Sequence, residues 1–134
     1  MSTTIPEHHR EVLDAPYAVL STLGADDYPQ STVVVFLHED GLFKISLNTT
    51  RQKTKNLMRH PHGTLVVIDP ETMRRYVEVR GDVEIVPDDD YTFAAHVGKK
   101  YGGTDFRYAD KPGETRVGVI LRPARVNVAD LREP

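Results

Sequence analysis

The chain has 134 residues, contains no cysteine, and carries a formal net charge of −3 from 17 basic and 20 acidic side chains. This length fits a single domain over residues 1–134 and excludes an eight-fold βα barrel or a complete two-half dinucleotide fold. A slightly acidic chain with no long apolar stretch, secretion signal or cysteine predicts a cytoplasmic protein that binds neither nucleic acid nor membrane.

The first part of the chain predicts a short helix followed by strands. Residues 6–13 begin with a proline, which suits the first position of a helix. Residues 17–23 and 31–37 are rich in strand-forming residues, and the second run is so continuously apolar that both of its faces are expected to be covered. Asp40-Gly41 then predicts a tight hairpin into a strand over residues 42–47.

The pattern changes after this hairpin. Residues 50–60 predict a helix that ends at a proline, with Leu57 and Met58 expected to face the core. Residues 64–68 predict a buried strand.

The remaining predicted elements are a long strand, a helix, a polar loop and two closing strands, over residues 74–86, 88–101, 102–115, 117–121 and 125–128. Gly81 is expected to mark a bulge in the long strand. The acidic run from Asp88 suits a helix start, where the dipole favours negative charge. Pro123 is expected to separate the two closing strands.

Six or seven strands in hairpin succession, with three helices, predict a mainly β fold. The expected architecture is an antiparallel sheet closed into a small barrel with the helices outside it. An open α+β sheet is the alternative.

The most informative feature is a segment without acidic residues. Residues 41–68 contain no Asp or Glu but hold five Lys or Arg side chains, at Lys44, Arg51, Lys53, Lys55 and Arg59. A base at a helix start costs about 0.3–1 kcal/mol, and a bound anion would reverse that cost. Arg51, Lys53 and the Thr54 hydroxyl therefore predict a phosphate site. The alternative is a solvated helix face whose bases pair with acids elsewhere in the chain.

The same segment resembles a known family. Residues 46–57 read S-L-N-T-T-R-Q-K-T-K-N-L, which is similar to the phosphate-binding segment of the pyridoxamine 5′-phosphate oxidase-like split β-barrel proteins. The R-x-K-T-x-N-L core resembles their flavin/deazaflavin oxidoreductase branch in particular. Asp27-Tyr28-Pro29 resembles the family's G-x-P turn, with Asp27 where a glycine is more usual. In order and spacing the resemblance covers residues 12–128.

The resemblance implies a homodimer that binds a cofactor and a small-molecule substrate at two interfacial sites. One subunit supplies the phosphate cluster, and the partner reaches towards the same cofactor. The implied cofactor-binding residues are Arg51, Lys53 and Thr54 at the phosphate, with Ser46 and Gln52 beside them; Gln30, Thr32 and Val33 against the ring; and Tyr76 and Arg80 from the partner.

The resemblance ranks coenzyme F420, a deazaflavin, ahead of FMN as the cofactor. The chain lacks the C-terminal Arg/His motif of true pyridoxamine phosphate oxidases. The implied reaction is hydride transfer to a small planar unsaturated substrate, with the proton supplied by solvent or Tyr76. The alternatives are an FMN-dependent oxidoreductase and a non-enzymatic protein that carries a flavin, F420 or haem.

Other motifs give weaker evidence of function. His60 and His62 have no acidic neighbour in sequence to complete a ligand set, so no metal site is predicted. The loop after Tyr101 holds Phe106 and Tyr108, which either cover a substrate pocket or pack against the barrel. No catalytic side chain can be assigned from the sequence.

Overall fold

The computed structural model describes residues 2–134, which form one seven-stranded sheet. The strands are β1 (Ala18–Leu23), β2 (Pro29–Val34), β3 (Leu37–Glu39), β4 (Leu42–Asn48), β5 (His62–Ile68), β6 (Arg75–Pro87) and β7 (Arg116–Asp130). The α-helices are α1 (Gln52–Arg59) and α2 (Thr92–Gly98), and 3₁₀ helices span Glu7–Asp14, Lys99–Tyr101 and Phe106–Ala109. None of the described helices has the length and apolarity that a bilayer crossing needs.

The sheet curls into a split barrel. Its strand order is β2-β1-β5-β6-β7-β4-β3, and every neighbouring pair is antiparallel. The edge strands β2 and β3 are nevertheless joined by only Val35 and Phe36, a link that spans at most about 11 Å. The end of β2 and the start of β3 therefore lie close together, although no ladder joins the two edges. The mainly β architecture is confirmed, with the barrel open between β2 and β3.

Two side chains tie the link between β2 and β3 to the segment that precedes β1. The Lys100 ammonium donates hydrogen bonds to the carbonyls of Ala15 at 2.8 Å and Phe36 at 3.1 Å, and it lies 3.6 Å from the centroid of the Phe36 ring. The Tyr101 hydroxyl accepts from the Phe36 amide at 2.9 Å and donates to the Pro16 carbonyl at 2.8 Å. Burial lowers the pKa of Lys100 to about 8. These contacts hold the chain link that joins the two edges.

The barrel interior is filled by alternate residues of the strands. Its largest fully buried side chains are Leu20, Phe36, Phe43, Ile45, Leu57, Leu65 and Leu121. The opening helix is predicted correctly in position, but it forms as a 3₁₀ helix and adds Val12 and Leu13 to this core.

Two expected burials are wrong. Val33 is 65 % exposed and Met58 is 56 % exposed. The run that holds Val33 forms edge strand β2, whose outer face nothing in residues 2–134 covers. Met58 is adjacent to the fully buried Leu57, and successive residues of a helix project about 100° apart, so only one of them faces the barrel.

The two closing strands predicted around Pro123 are one continuous strand, β7. The proline pairs with Gly81 at a register shift between Arg80 and Gly81. The ladder is already irregular there, so the missing proline N–H costs little. The predicted bulge at Gly81 is thus confirmed, and a Cβ at this position would lie 2.4 Å from the Arg122 carbonyl oxygen.

Candidate functional site

The turn between β4 and α1 is held by buried polar side chains. The Asn48 side-chain oxygen accepts hydrogen bonds from the Thr50 amide at 3.2 Å and the Thr50 hydroxyl at 2.8 Å. The Asn48 carbonyl accepts from the Thr54 hydroxyl at 2.7 Å. Asn48 and Thr54 are both buried, so the point where α1 begins is fixed from inside the protein.

No acidic side chain in the described part of the chain neutralises the positive charge at the first turn of α1. This turn contains no acidic residue, and the N-cap Arg51 makes no capping side-chain hydrogen bond. Among residues 2–134, no salt bridge involves any basic side chain of this helix and its cap: Arg51, Lys53, Lys55 or Arg59. The alternative of bases paired with the chain's own acids is therefore not observed.

Lys53 is the most constrained of these bases. Its side chain is half-buried, and its ammonium donates to the Thr32 hydroxyl on β2 at 3.2 Å. Burial and the neighbouring Arg51 guanidinium lower the pKa of Lys53. A partly desolvated cation beside a second cation is stabilised by any anion that binds between them.

A groove of about 260 Å³ begins at these two cations. It runs between the end of β2, the end of β4 and the short helix Phe106–Ala109, and its lining includes Val33, Ser46, Arg51, Lys53, Phe106 and Arg116. The fold thus gathers four of the residues implied by the resemblance. Ligand pockets commonly measure about 300–1,000 Å³, so this groove is slightly smaller than a typical complete ligand site.

Three other implied residues, Gln30, Gln52 and Thr54, do not line the groove. Thr54 has no exposed surface, and its hydroxyl is committed to Asn48. Gln52 donates to the Asn56 side-chain oxygen at 2.9 Å, and Asn56 donates to Gln30 at 3.2 Å. The Asn56–Gln30 bond ties α1 to β2, and the structure does not bring Thr54 to the surface that an anion would reach.

Tyr76 and Arg80 are remote from the groove within one chain. Both project from the outer face of β6, which pairs with β5 and β7 and not with β2. The Arg80 side chain lies 3.3 Å from Glu78 and borders a different cleft of about 360 Å³ beside His62. A role for Tyr76 or Arg80 at the cofactor requires a second chain.

Sequence reasoning missed Arg116 and Asp110. These side chains form an ion pair that is 5 % and 4 % exposed, and Arg116 lines the groove. Burial raises the pKa of Asp110, but hydrogen bonds from Arg116, Asn48 and Tyr91 outweigh this effect and lower it overall. The only feature in the sequence that could have indicated this pair is an arginine at the start of an apolar strand. Its position at the groove depends on the pairing of Arg116 with Asn48 between β7 and β4, which the sequence does not show.

Comparisons with known proteins identify the family and the fold. The family described as pyridoxamine 5′-phosphate oxidase matches residues 5–129. The structure of an F420 reductase is similar, with a TM-score of 0.79 and 32 % identity over 92 % of this chain and 98 % of that chain. A conserved hypothetical protein from Mycobacterium tuberculosis has a TM-score of 0.76 and 26 % identity over 96 % of this chain and 87 % of that chain.

A more distant match shows the fold alone. The haem storage protein HutZ from Vibrio cholerae has a TM-score of 0.73 and 15 % identity, over 92 % of each chain. No curated protein matches the sequence.

Proposed function

The chain belongs to the pyridoxamine 5′-phosphate oxidase family, and we propose that it is an oxidoreductase that uses coenzyme F420, with FMN as the alternative cofactor. The observation that carries the proposal is the pair of cations, Arg51 and Lys53, that no acid of residues 2–134 neutralises. When bound, the ring of the cofactor supplies hydride chemistry for a small planar unsaturated substrate.

Some residues of the site would contact the phosphate, and others hold those residues in position. Arg51 offers a planar fork of donors and Lys53 a point charge, and together they suit a phosphate group. Thr32 holds the Lys53 ammonium in place, while Asn48 and Thr54 fix the turn from which both cations project. The free amides at the start of α1 add partial positive charge on the same side.

A row of cations along α1 favours F420 over FMN. Arg51, Lys55 and Arg59 are four residues apart and exposed, so they share one face of the helix, where like charges repel. FMN ends at its phosphate, whereas F420 continues beyond its phosphate into an acidic tail. A ligand with that tail would bring negative charge towards this row, and the similarity to an F420 reductase at 32 % identity supports the same choice.

We expect a homodimer because one part of the outer face of the sheet, across β1, β2 and β5, is apolar. Tyr17, Val33 and Met73 are 60 %, 65 % and 67 % exposed, and they border one apolar cleft across β1, β2 and β5. Val33 also lines the groove. A second copy on this face would cover the apolar surface, enclose the cofactor, and bring its own Tyr76 and Arg80 towards the ring.

The test is titration of the purified protein with F420 and with FMN, followed by absorbance and fluorescence. Reduced F420 is then mixed with a panel of quinones, enones and tetrapyrroles. Saturable F420 binding with oxidation above the protein-free rate supports the proposal. Binding without oxidation across the panel would indicate a carrier, and absence of binding by either cofactor would refute the proposed function.

A further inference from the structure

Arg116 is a buried donor that lines the groove and is held in place by several hydrogen bonds. Its Nε atom donates to Asp110 at 3.1 Å, and Nη2 donates to the same carboxylate and to the Phe106 carbonyl at 3.2 Å. Nη1 has only a long contact of 3.4 Å, with the Ser46 hydroxyl. The guanidinium is thus locked on one side, while Nη1 and the Ser46 hydroxyl stand together beside the groove that both residues line.

The electrostatics of Arg116 differ from those of Arg51 and Lys53. Asp110 balances the charge of Arg116, and the Asp110 carboxylate also accepts from Asn48 and from Tyr91, each at 3.0 Å. A dianionic phosphate would be attracted by this arginine and repelled by its carboxylate partner. A neutral carbonyl oxygen needs only a well-oriented donor, which Nη1 and the Ser46 hydroxyl provide.

The two ends of the groove therefore suit different parts of one ligand. The end at Arg51 and Lys53 has uncompensated positive charge, and the end at Arg116 has donors in a charge-balanced setting. Phe106 and Val33 add apolar surface to the lining, as a flat ring requires.

We propose that Arg116 and Ser46 form a second anchor, which donates hydrogen bonds to a neutral ring carbonyl of the bound cofactor while Arg51 and Lys53 hold its phosphate. Asp110 is a positioning residue, because it acts by orienting Arg116. This inference rests on the proposed function, since the ligand it requires is a flavin or deazaflavin.

The contributions of the two anchors to affinity can be distinguished with pairs of ligands that differ in whether they carry the phosphate. FMN is compared with riboflavin, and F420 with its phosphate-free deazariboflavin. Arg116→Gln is expected to weaken binding of both members of a pair by a similar factor, about tenfold or more, whereas Lys53→Ala weakens only the phosphate-bearing member. Arg122→Gln is the matched control, because Arg122 is an exposed arginine on the same strand, and it should leave all affinities unchanged.

Ser46→Ala leaves the Arg116–Asp110 ion pair intact, so it provides a second test that does not depend on the folding of Arg116→Gln. Ser46→Ala should weaken binding of both members of a pair by about threefold. If circular dichroism shows that Arg116→Gln is unfolded, the affinities of Ser46→Ala alone test the second anchor. The inference is overturned if folded Arg116→Gln or Ser46→Ala binds both members like the wild type, or loses affinity only for the phosphate-bearing one. If the wild type binds neither member of either pair, the proposed function fails and this inference fails with it.

Discussion

The ammonium of Lys53 donates to the hydroxyl of Thr32 across 3.2 Å and so joins the first turn of α1 to the edge strand β2. This contact sets a cation at the end of the barrel split. It also places the cation close to Val33, the next residue of β2, which is exposed and borders both the groove and the apolar cleft. One hydrogen bond thereby relates the candidate phosphate site to the surface on which we expect a second copy.

Lys53→Ala is expected to weaken cofactor binding by about 1.5–3 kcal/mol, the range for a hydrogen bond to a charged group. Fluorescence titration measures this loss. Lys99→Ala removes a lysine of the short helix Lys99–Tyr101, outside the groove, and should have no effect. Equal affinities of the wild type and Lys53→Ala would remove Lys53 as an anchor.

Cofactor affinity is expected to fall at alkaline pH. The anion binds the protonated ammonium, and the pKa of Lys53 in the free protein is already lowered by burial and by Arg51. Binding must therefore drive proton uptake above that pKa, and affinity should fall by up to about tenfold per pH unit before the ordinary lysine value near 10.4 is reached. Titrations from pH 7 to 10 measure the slope, and Lys53→Arg, which stays charged, should flatten it.

Thr54 is expected to affect folding more than direct binding, in contrast to the role that the family resemblance implied. Its buried hydroxyl donates to the Asn48 carbonyl at 2.7 Å. Thr54→Val keeps the volume but loses this bond, and should lower the free energy of unfolding by about 0.5–1.5 kcal/mol in urea titrations without ligand. Thr54→Ser retains the hydroxyl and tests whether the bond matters. Wild-type stability of Thr54→Val would contradict this role.

Acid should destabilise the protein through its buried carboxylates. Hydrogen bonds from Arg116 and other donors hold the pKa of Asp110 below its ordinary value despite burial, and the Glu71 amide with Arg75 does the same for Asp69. The unfolded chain therefore binds protons first, and stability falls as pH drops below about 4 and through the folded-state pKa values.

Asp110→Asn tests this account. It leaves the buried Arg116 without its counter-charge, so stability at pH 7 should fall by about 3–5 kcal/mol. The remaining stability should depend less on acid than that of the wild type, as measured by urea unfolding at several pH values. Asp40→Asn, at an exposed turn, is the control. An acid profile of Asp110→Asn identical to that of the wild type would exclude Asp110 as a contributor.

Val33→Asp should prevent dimer formation. The change places a charge on the exposed apolar face of β2, where a second copy would have to desolvate it. Sedimentation velocity is expected to show a dimer for the wild type and a monomer for the variant. Tyr108→Asp changes an even more exposed side chain outside this face and should remain dimeric. A monomeric wild type would refute the expected assembly.

Several features were predictable because they depend on neighbours in sequence. The acid-free segment around Arg51 and Lys53 is read directly from composition. The cap formed by Asp88, which accepts hydrogen bonds from the Phe93 and Ala94 amides at 2.9 Å, follows from helix-start chemistry. Gly81 was identifiable as a bulge because a glycine interrupts an otherwise regular strand.

The sequence by itself determined the order of the elements, the mainly β class, and the location of a positive cluster at a helix start. These features arise from residue spacing and local backbone preference. Only the tertiary structure decided that Val33 faces outward, that Thr54 is buried behind its turn, and that Arg116 meets Ser46 and Asp110 at the groove. Burial and pairing between strands depend on which distant residues the curled sheet brings together, and spacing along one chain does not encode that.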